Sequence, residues 1–299
     1  MKKMKKFKSL MLAVGMMASL TPGLANATTI SNGILTLGVG NDGTINDGSL
    51  NGYGMEVVRT GIGIKYTGYP GADYTYPGDS FHYYSIGYNA PWGDLPHGNT
   101  SLHMDGGTDV PATTTYSSDS AFTEGTYGNG DDLNLAFQQN ISLTGSTVNF
   151  AVTLTNTGTS ALVNVAYGNG FDPNQDVNAF GVYDTINFET INTISEGRVT
   201  ATGARSGSSI SIVGNGTASI SSLWDTDPYS HPNDGNGDYT IAMAWDLGTL
   251  APGATKTINF HYALTAPTAP TPEPASMMLL GTGLAGLLGA RKLKKKQAA

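Results

Sequence analysis

Val148-Asn149-Phe150-Ala151-Val152-Thr153-Leu154 sets Val148, Phe150, Val152 and Leu154 at alternate positions, with Asn149, Ala151 and Thr153 between them. Successive side chains of a strand point to opposite faces, so this two-residue period predicts a strand with one buried face. Thr144-Gly145-Ser146 before it and Asn156-Thr157-Gly158-Thr159-Ser160 after it are turn sequences. From Leu133 to Tyr167 the expectation is three antiparallel strands in a meander.

The same period returns between Tyr239 and Leu264. Ile241, Met243 and Trp245 alternate, Ala251-Pro252-Gly253 turns the chain, and Ile258, Phe260 and Tyr262 alternate again. This predicts a closing hairpin with its aromatic residues on one side and Trp245 in the core. Forty glycines in 299 residues, with abundant Thr, Asn and Ser, argue against helices. The fold class expected is all-β, an antiparallel β-sandwich with long loops, flanked by an N-terminal signal helix and a short C-terminal membrane helix. Thr155-Asn156-Thr157-Gly158 followed by Leu162-Val163-Asn164-Val165 resembles the β-sandwich modules of bacterial extracellular proteins, as does Leu247-Gly248-Thr249-Leu250-Ala251-Pro252-Gly253. That resemblance implies a sandwich and no activity.

Gly68 to Gly130 is crowded with Tyr, Gly, Asp and Pro and shows no sustained period, which predicts long loops with short strands. Flat aromatic rings pack on sugar faces, and hydroxyls and carboxylates hydrogen-bond sugar OH groups. Tyr74, Tyr76, Tyr83, Tyr84, Tyr88 and Trp92 are therefore candidates for glycan binding. Packing of the loops onto the sheet accounts for the same rings.

Both ends read as targeting segments. Lys2, Lys3, Lys5, Lys6 and Lys8 precede the apolar run Leu10 to Leu20, and Ala25-Asn26-Ala27 supplies small residues at Ala25 and Ala27. Residues 1–27 are expected to be a secretory signal peptide cut by signal peptidase after Ala27. Residues 28–265 form the body, 266–274 a Pro-rich spacer with the sorting motif, and 275–299 a transmembrane segment with a basic tail.

Without its ends the body keeps Arg59, Lys65, Arg198, Arg205 and Lys256 against 22 of the 23 acidic residues, a net charge of about −17 with His neutral. Such a body repels nucleic acid and anionic membranes. The chain has no Cys, which excludes disulfides, thiol nucleophiles and Cys-based metal sites.

Asp172-Pro173-Asn174-Gln175-Asp176-Val177-Asn178 and Asp234-Gly235-Asn236-Gly237-Asp238 each set Asp, Asn and Asp at alternate positions. Hard oxygens at that spacing can converge on calcium, which makes Asp172, Asn174, Asp176, Asn178, Asp234, Asn236 and Asp238 candidate ligands. The stretches resemble the start of EF-hand and dockerin loops. Val177 and Tyr239 stand where that loop needs Gly, however, and the closing bidentate Glu is missing, so an EF-hand is excluded. Asx turns explain the same residues, and both readings stand.

Catalytic patterns are absent: His82, His97, His103, His231 and His261 show no metalloprotease pairing, and there is no Gly-x-Ser-x-Gly elbow. The expectation is a body that is not an enzyme. The alternative is a secreted carbohydrate-active enzyme working through carboxylates.

At the C-terminus a Thr/Ala/Pro spacer leads into Pro272-Glu273-Pro274, an apolar run from Ser276 to Ala290, and Arg291-Lys292-Leu293-Lys294-Lys295-Lys296. This order resembles the PEP-CTERM sorting signal. The basic cluster, Arg291 and Lys292 first, holds the end on the cytoplasmic side while the apolar run anchors the chain transiently in the inner membrane. The resemblance implies a partner, exosortase, which reads Pro272, Glu273 and Pro274 and releases the body to the cell surface or extracellular matrix of a bacterium that makes exopolysaccharide. The function expected is a structural or adhesive exported protein that binds glycan or calcium.

Overall fold

The computed structural model describes residues 28–45, 62–67, 73–75, 82–90, 93–94, 98–99, 110–128, 130, 132–193, 196–221 and 236–266. The signal peptide, Ala25, Ala27, Tyr76, Trp92, Asp234, Pro272, Glu273, Pro274, Arg291 and Lys292 lie outside them. Within them the chain is all-β and antiparallel.

The alternating stretch from Val148 is the middle of β10 (Thr147–Asn156), where every second residue is buried. It pairs on one side with β9 (Asn134–Thr144) and on the other with β17 (Thr255–Thr265), so that Phe150 lies opposite both Ile141 and Phe260. Outward from these three, β8 (Ser120–Gly128) and β7 (Ala112–Tyr116) extend one side. β14 (Ser209–Gly214), β13 (Glu196–Gly203) and β12 (Thr185–Thr193) extend the other, giving an eight-stranded sheet in the order β12-β13-β14-β17-β10-β9-β8-β7.

The second sheet has β11 (Leu162–Phe171) at its centre, with β16 (Thr240–Leu250) and β15 (Thr217–Ser221) to one side. To the other side lie β4 (His82–Ala90), β5 (Gly93–Asp94) and, paired with β4, β6 (Gly98–Asn99). A small sheet of β1 (Thr28–Ser31), β2 (Leu35–Val39) and β3 (Ile64–Tyr66) shares the same core. A short helix α1 (Val177–Phe180), the one helix among the described residues, follows β11.

Rings from the two large sheets meet between the layers. Phe260 lies 4.9 Å from Trp245 and Phe171 lies 4.9 Å from Tyr262, centroid to centroid, while Tyr84 lies 4.8 Å from Phe137. Full burial of each such side chain stabilises the fold by roughly 1.5–3 kcal/mol relative to exposure.

Two expected connections are corrected. The meander ends at β10, because β11 crosses to the other sheet and pairs with β16 and β4. The expected hairpin of β16 and β17 is likewise an arch, with β16 in one sheet and β17 in the other. Alternation reports which face of a strand is buried, and strands that face each other across a core show the same pattern as strands side by side.

Asn156 holds the two crossings together. Its Nδ2 donates to Ser160 O (2.8 Å) and Leu250 O (2.9 Å), its Oδ1 accepts from Gly158 N–H (2.9 Å), and its backbone bonds to Gly253 and Ala254.

The Tyr-rich region holds a further correction. His82 to Tyr88 is not loop but most of β4, a nine-residue strand beside β11 with all seven of those residues buried. Burial on both faces removes alternation from the sequence.

The segment after β2 is wedged against β4, β7 and β9. Tyr116 donates to Gly40 O (3.0 Å), Thr114 to Asn41 O (2.9 Å), Tyr84 to Asp42 O (2.9 Å) and Gln139 to Gly43 O (2.9 Å). Gly43 has φ +82°, and a Cβ there would come 2.3 Å from Thr123 Oγ1, so the wedge requires glycine.

Candidate functional site

Polar grooves among the described residues run along the eight-stranded sheet, and one of them reaches β16 of the other sheet at Ala244 to Leu247. In β10 and β17 the residues between the core positions are Asn149, Ala151, Thr153 and Thr155, and Thr255, Thr257, Asn259 and His261. Opposite pairs meet across the strands, Thr155 Oγ1 with Thr255 Oγ1 at 3.0 Å. The strand period that buries Phe150 and Phe260 therefore leaves a strip of hydroxyls and amides facing solvent.

The most reactive part of the strip lies where β13, β14 and β17 run side by side. Register sets Arg198 opposite Val213, and Val213 opposite His261. A groove of about 660 Å³ opens beside this row, lined among others by Glu196, Asn215, Trp245, Asp246, Asn259 and His261.

The turn between β14 and β15 shapes its wall. A Cβ on Gly216 would come 2.6 Å from Ala244 O and 2.8 Å from the Trp245 ring, so glycine lets the turn close onto the indole. Trp245 Nε1 donates to Asn215 Oδ1 at 2.8 Å, which fixes that amide on the rim. A smaller pocket of about 270 Å³, with Asn140, Ser142 and Asn149, shares Asn259 and His261 with the groove.

His261 is the group best placed for chemistry. Partial burial lowers its pKa, the Arg198 guanidinium lowers it further, and the Glu196 carboxylate opposes both. The imidazole is thus held neutral at pH 7, with one nitrogen able to accept a proton. Beside it, Glu196 and Asp246 add carboxylates, and Asn215 and Asn259 add amides. Such a set can hydrogen-bond a neutral polyol and move a proton on one of its hydroxyls. Sequence reasoning missed these residues because they lie on four separate stretches, Glu196 to Arg198, Asn215, Trp245 to Asp246, and Asn259 to His261, with no shared spacing.

Of the residues expected to bind glycan, Tyr76 and Trp92 fall outside the described residues and the other four lie inside the protein. Tyr74, Tyr83, Tyr84 and Tyr88 are all buried, so their ring faces pack inside the protein. Tyr74 donates to Thr265 O (2.7 Å). The large exposed apolar side chains include Phe122, Phe180, Tyr183 and Phe188 instead.

The calcium candidates also have structural ties. The Asp176 carboxylate accepts the N–H groups of Arg205 (2.5 Å) and Ser206 (3.0 Å), pinning the β13–β14 turn. Asn236 Oδ1 accepts from Asn187 N–H (2.7 Å) on β12. Asp172 and Asn174 are buried beside each other, with Asn174 Nδ2 donating to Asp172 Oδ2 at 3.0 Å. The side chain of Asn178 lies outside the described residues, and Asp238 lies next to the Thr185–Gly237 bridge. Among the described residues no three His, Cys, Asp or Glu side chains gather as a metal group.

Comparison with known proteins gives two results. Residues 270–295 match the PEP-CTERM protein-sorting motif, so the chain carries that signal at its C-terminus, which implies processing by exosortase and export toward the cell surface. No curated protein matches the sequence.

Similar solved structures include an Escherichia coli K12 protein assigned as an aldose 1-epimerase (14% identity, 80% of this chain and 99% of that one, TM-score 0.47). A galactose mutarotase-like protein from Lactobacillus casei is 13% identical over 80% of this chain and all of that one, at TM-score 0.47. A galactose mutarotase related enzyme from Lactobacillus acidophilus is 10% identical over 82% and 99%, at TM-score 0.46. The expectation that the body is not an enzyme is corrected by these neighbours, whose names are those of epimerases and mutarotases. At these scores no residue role passes from them to this chain.

Proposed function

We propose that this exported protein is a carbohydrate-engaging protein of the cell surface, working through the groove around His261. The observation that carries the reading is the groove itself: a neutral imidazole, two carboxylates and two amides beside the Trp245 indole. Neutral sugars are bound by such sets, in which each hydroxyl finds both a donor and an acceptor. The strongly acidic body disfavours polyanionic ligands, which points to neutral or cationic glycan.

On this reading the body is residues 28–265, the leader is removed by signal peptidase, and the tail anchors the chain in the inner membrane until exosortase acts. Exopolysaccharide is then the glycan at hand. A second reading, turnover of the bound sugar, is favoured by the charges of Arg198 and Glu196 on β13, which act on His261 in opposite senses and tune its basicity.

The test is a glycan array on the full chain, paired with polarimetry of freshly dissolved aldoses. Binding that is lost in His261→Ala and Asn259→Ala supports the groove. Accelerated mutarotation that is lost in His261→Ala, with binding kept, supports turnover. Binding and mutarotation both unchanged in the two variants remove the groove from the account.

A further inference from the structure

Beyond the groove, a second site lies at the end of the sandwich where β11 runs into α1. Residues 171–177 are all buried, an unusual fate for a stretch reading Asp-Pro-Asn-Gln-Asp between Phe171 and Val177. Asp176 is accounted for by its two backbone partners. Asn174 and Gln175 are not.

The amide nitrogens of both residues are committed: Asn174 Nδ2 to Asp172 Oδ2 (3.0 Å) and Gln175 Nε2 to Ala201 O (2.9 Å). Their oxygens, Asn174 Oδ1 and Gln175 Oε1, are buried and accept no hydrogen bond among the described residues. Exposures of 1% and 2% leave neither residue a route to bulk water. Thr75 Oγ1 is in the same condition, and its segment is held against this one by a hydrogen bond from Asn174 N–H to Tyr74 O (3.0 Å). A buried acceptor left without a partner costs about 1–3 kcal/mol, so three in one locality imply an occupant that satisfies them together.

We infer that this cluster of buried oxygens binds a calcium ion, with Asp172, Asn174, Gln175 and Thr75 as ligands. The chemistry of the set decides the class of ligand. It comprises a carboxylate, two amide carbonyls whose nitrogens are committed to Asp172 Oδ2 and Ala201 O, and a hydroxyl, all hard oxygens. Calcium accepts six to eight such ligands in flexible geometry and tolerates neutral ones, with backbone carbonyls and water completing its shell; magnesium demands a tighter octahedron. The site differs from the one read in the sequence. Asp176 and Asn236 are spent on backbone N–H groups, while Gln175 and Thr75 enter from positions that no calcium-loop spacing predicts.

The experiment uses the full chain in detergent. Terbium should give luminescence sensitised by tyrosine, Tyr74 being adjacent to Thr75, and calcium should displace it. Removing calcium with EDTA should lower Tm by at least about 5 °C, since an ion bound only to the folded state stabilises it. Asp172→Asn and Asn174→Leu should each weaken calcium at least tenfold, whereas Asn236→Ala should leave it unchanged. Should both cluster variants fail to fold, calcium content of the wild-type protein by elemental analysis, near one ion per chain, decides the matter. Equal Tm in EDTA and calcium, stronger competition by magnesium, or variants that bind as the wild type does would each overturn the inference. Buried water would then be the occupant.

Discussion

His82 Nε2 on β4 lies 3.1 Å from the Tyr262 hydroxyl on β17, so a buried imidazole joins the two large sheets. Its direction is fixed by neighbours. Ile45 N–H donates to His82 Nδ1 (2.9 Å), which leaves the ring proton on Nε2, and Nε2–H then donates to Tyr262. Tyr262 donates to Asn169 Oδ1, Asn169 Nδ2 to Tyr167 (3.4 Å), Tyr167 to Gln139 Oε1 (3.1 Å), and Gln139 Nε2 to Gly43 O (2.9 Å). Five buried side chains thus form a one-way relay that starts and ends on the wedge after β2. Dipoles aligned in this way strengthen one another in a low-dielectric core.

The first prediction concerns acid. Burial pushes the His82 imidazole from 6.5 down to about 3. Between those values the unfolded chain binds a proton that the folded protein refuses, so stability is complete above the unfolded value and falls as pH drops, by about 1.4 kcal/mol per unit. Urea unfolding from pH 7 to pH 3.5 should show this slope. His82→Gln, which retains an acceptor and a donor, should flatten it by one proton; equal slopes would refute the assignment.

Tyr262→Phe removes one oxygen and keeps the ring that packs on Phe150 and Phe171. It strips His82 of its acceptor and Asn169 of its donor in a dry core. The expected cost is about 2–4 kcal/mol, beyond what a lone hydrogen bond contributes. Phe150→Leu combined with Tyr262→Phe separates packing from polarity, since only the polar share should persist in Tyr262→Phe alone.

The relay also shows how far the sequence could be read. Strand identity at β10 and β17 was legible because one face of each is wet, and alternation survives; β16 was legible because the large Ile241, Met243 and Trp245 alternate with the small Ala242 and Ala244. β4 was illegible because both of its faces are covered. Partnership between strands was illegible as well, because Phe260 shows the same period whether Trp245 is its neighbour in a sheet or its contact across the core. The PEP-CTERM tail was legible because three parts occur in fixed order within one short segment. The groove around His261 was not, being assembled from four stretches that strand register and one turn bring together.

Asn156 offers a test of the crossings. Asn156→Ala withdraws the partners of Ser160 O, Leu250 O and Gly158 N–H while leaving both strands intact. A loss of about 3 kcal/mol is expected. Asn156→Asp should be no better, because its carboxylate can accept from Gly158 but cannot donate to either carbonyl. Chemical denaturation reads both, and a Asn156→Asp variant as stable as wild type would disprove the donor role.

The electrostatics of the groove give the last prediction its sign. Arg198 lowers the pKa of His261 and Glu196 raises it. Neutralising the guanidinium in Arg198→Gln should therefore move the imidazole upward, and Glu196→Gln should move it downward, each by less than burial does. Titration of the His261 ring by NMR follows both shifts directly. If His261 acts as a base on a bound sugar, the acid limb of the rate profile must move with its pKa, toward higher pH in Arg198→Gln and toward lower pH in Glu196→Gln. A ring that titrates as expected beside a rate profile that stays still would leave His261 a binding residue, with proton transfer assigned elsewhere in the groove.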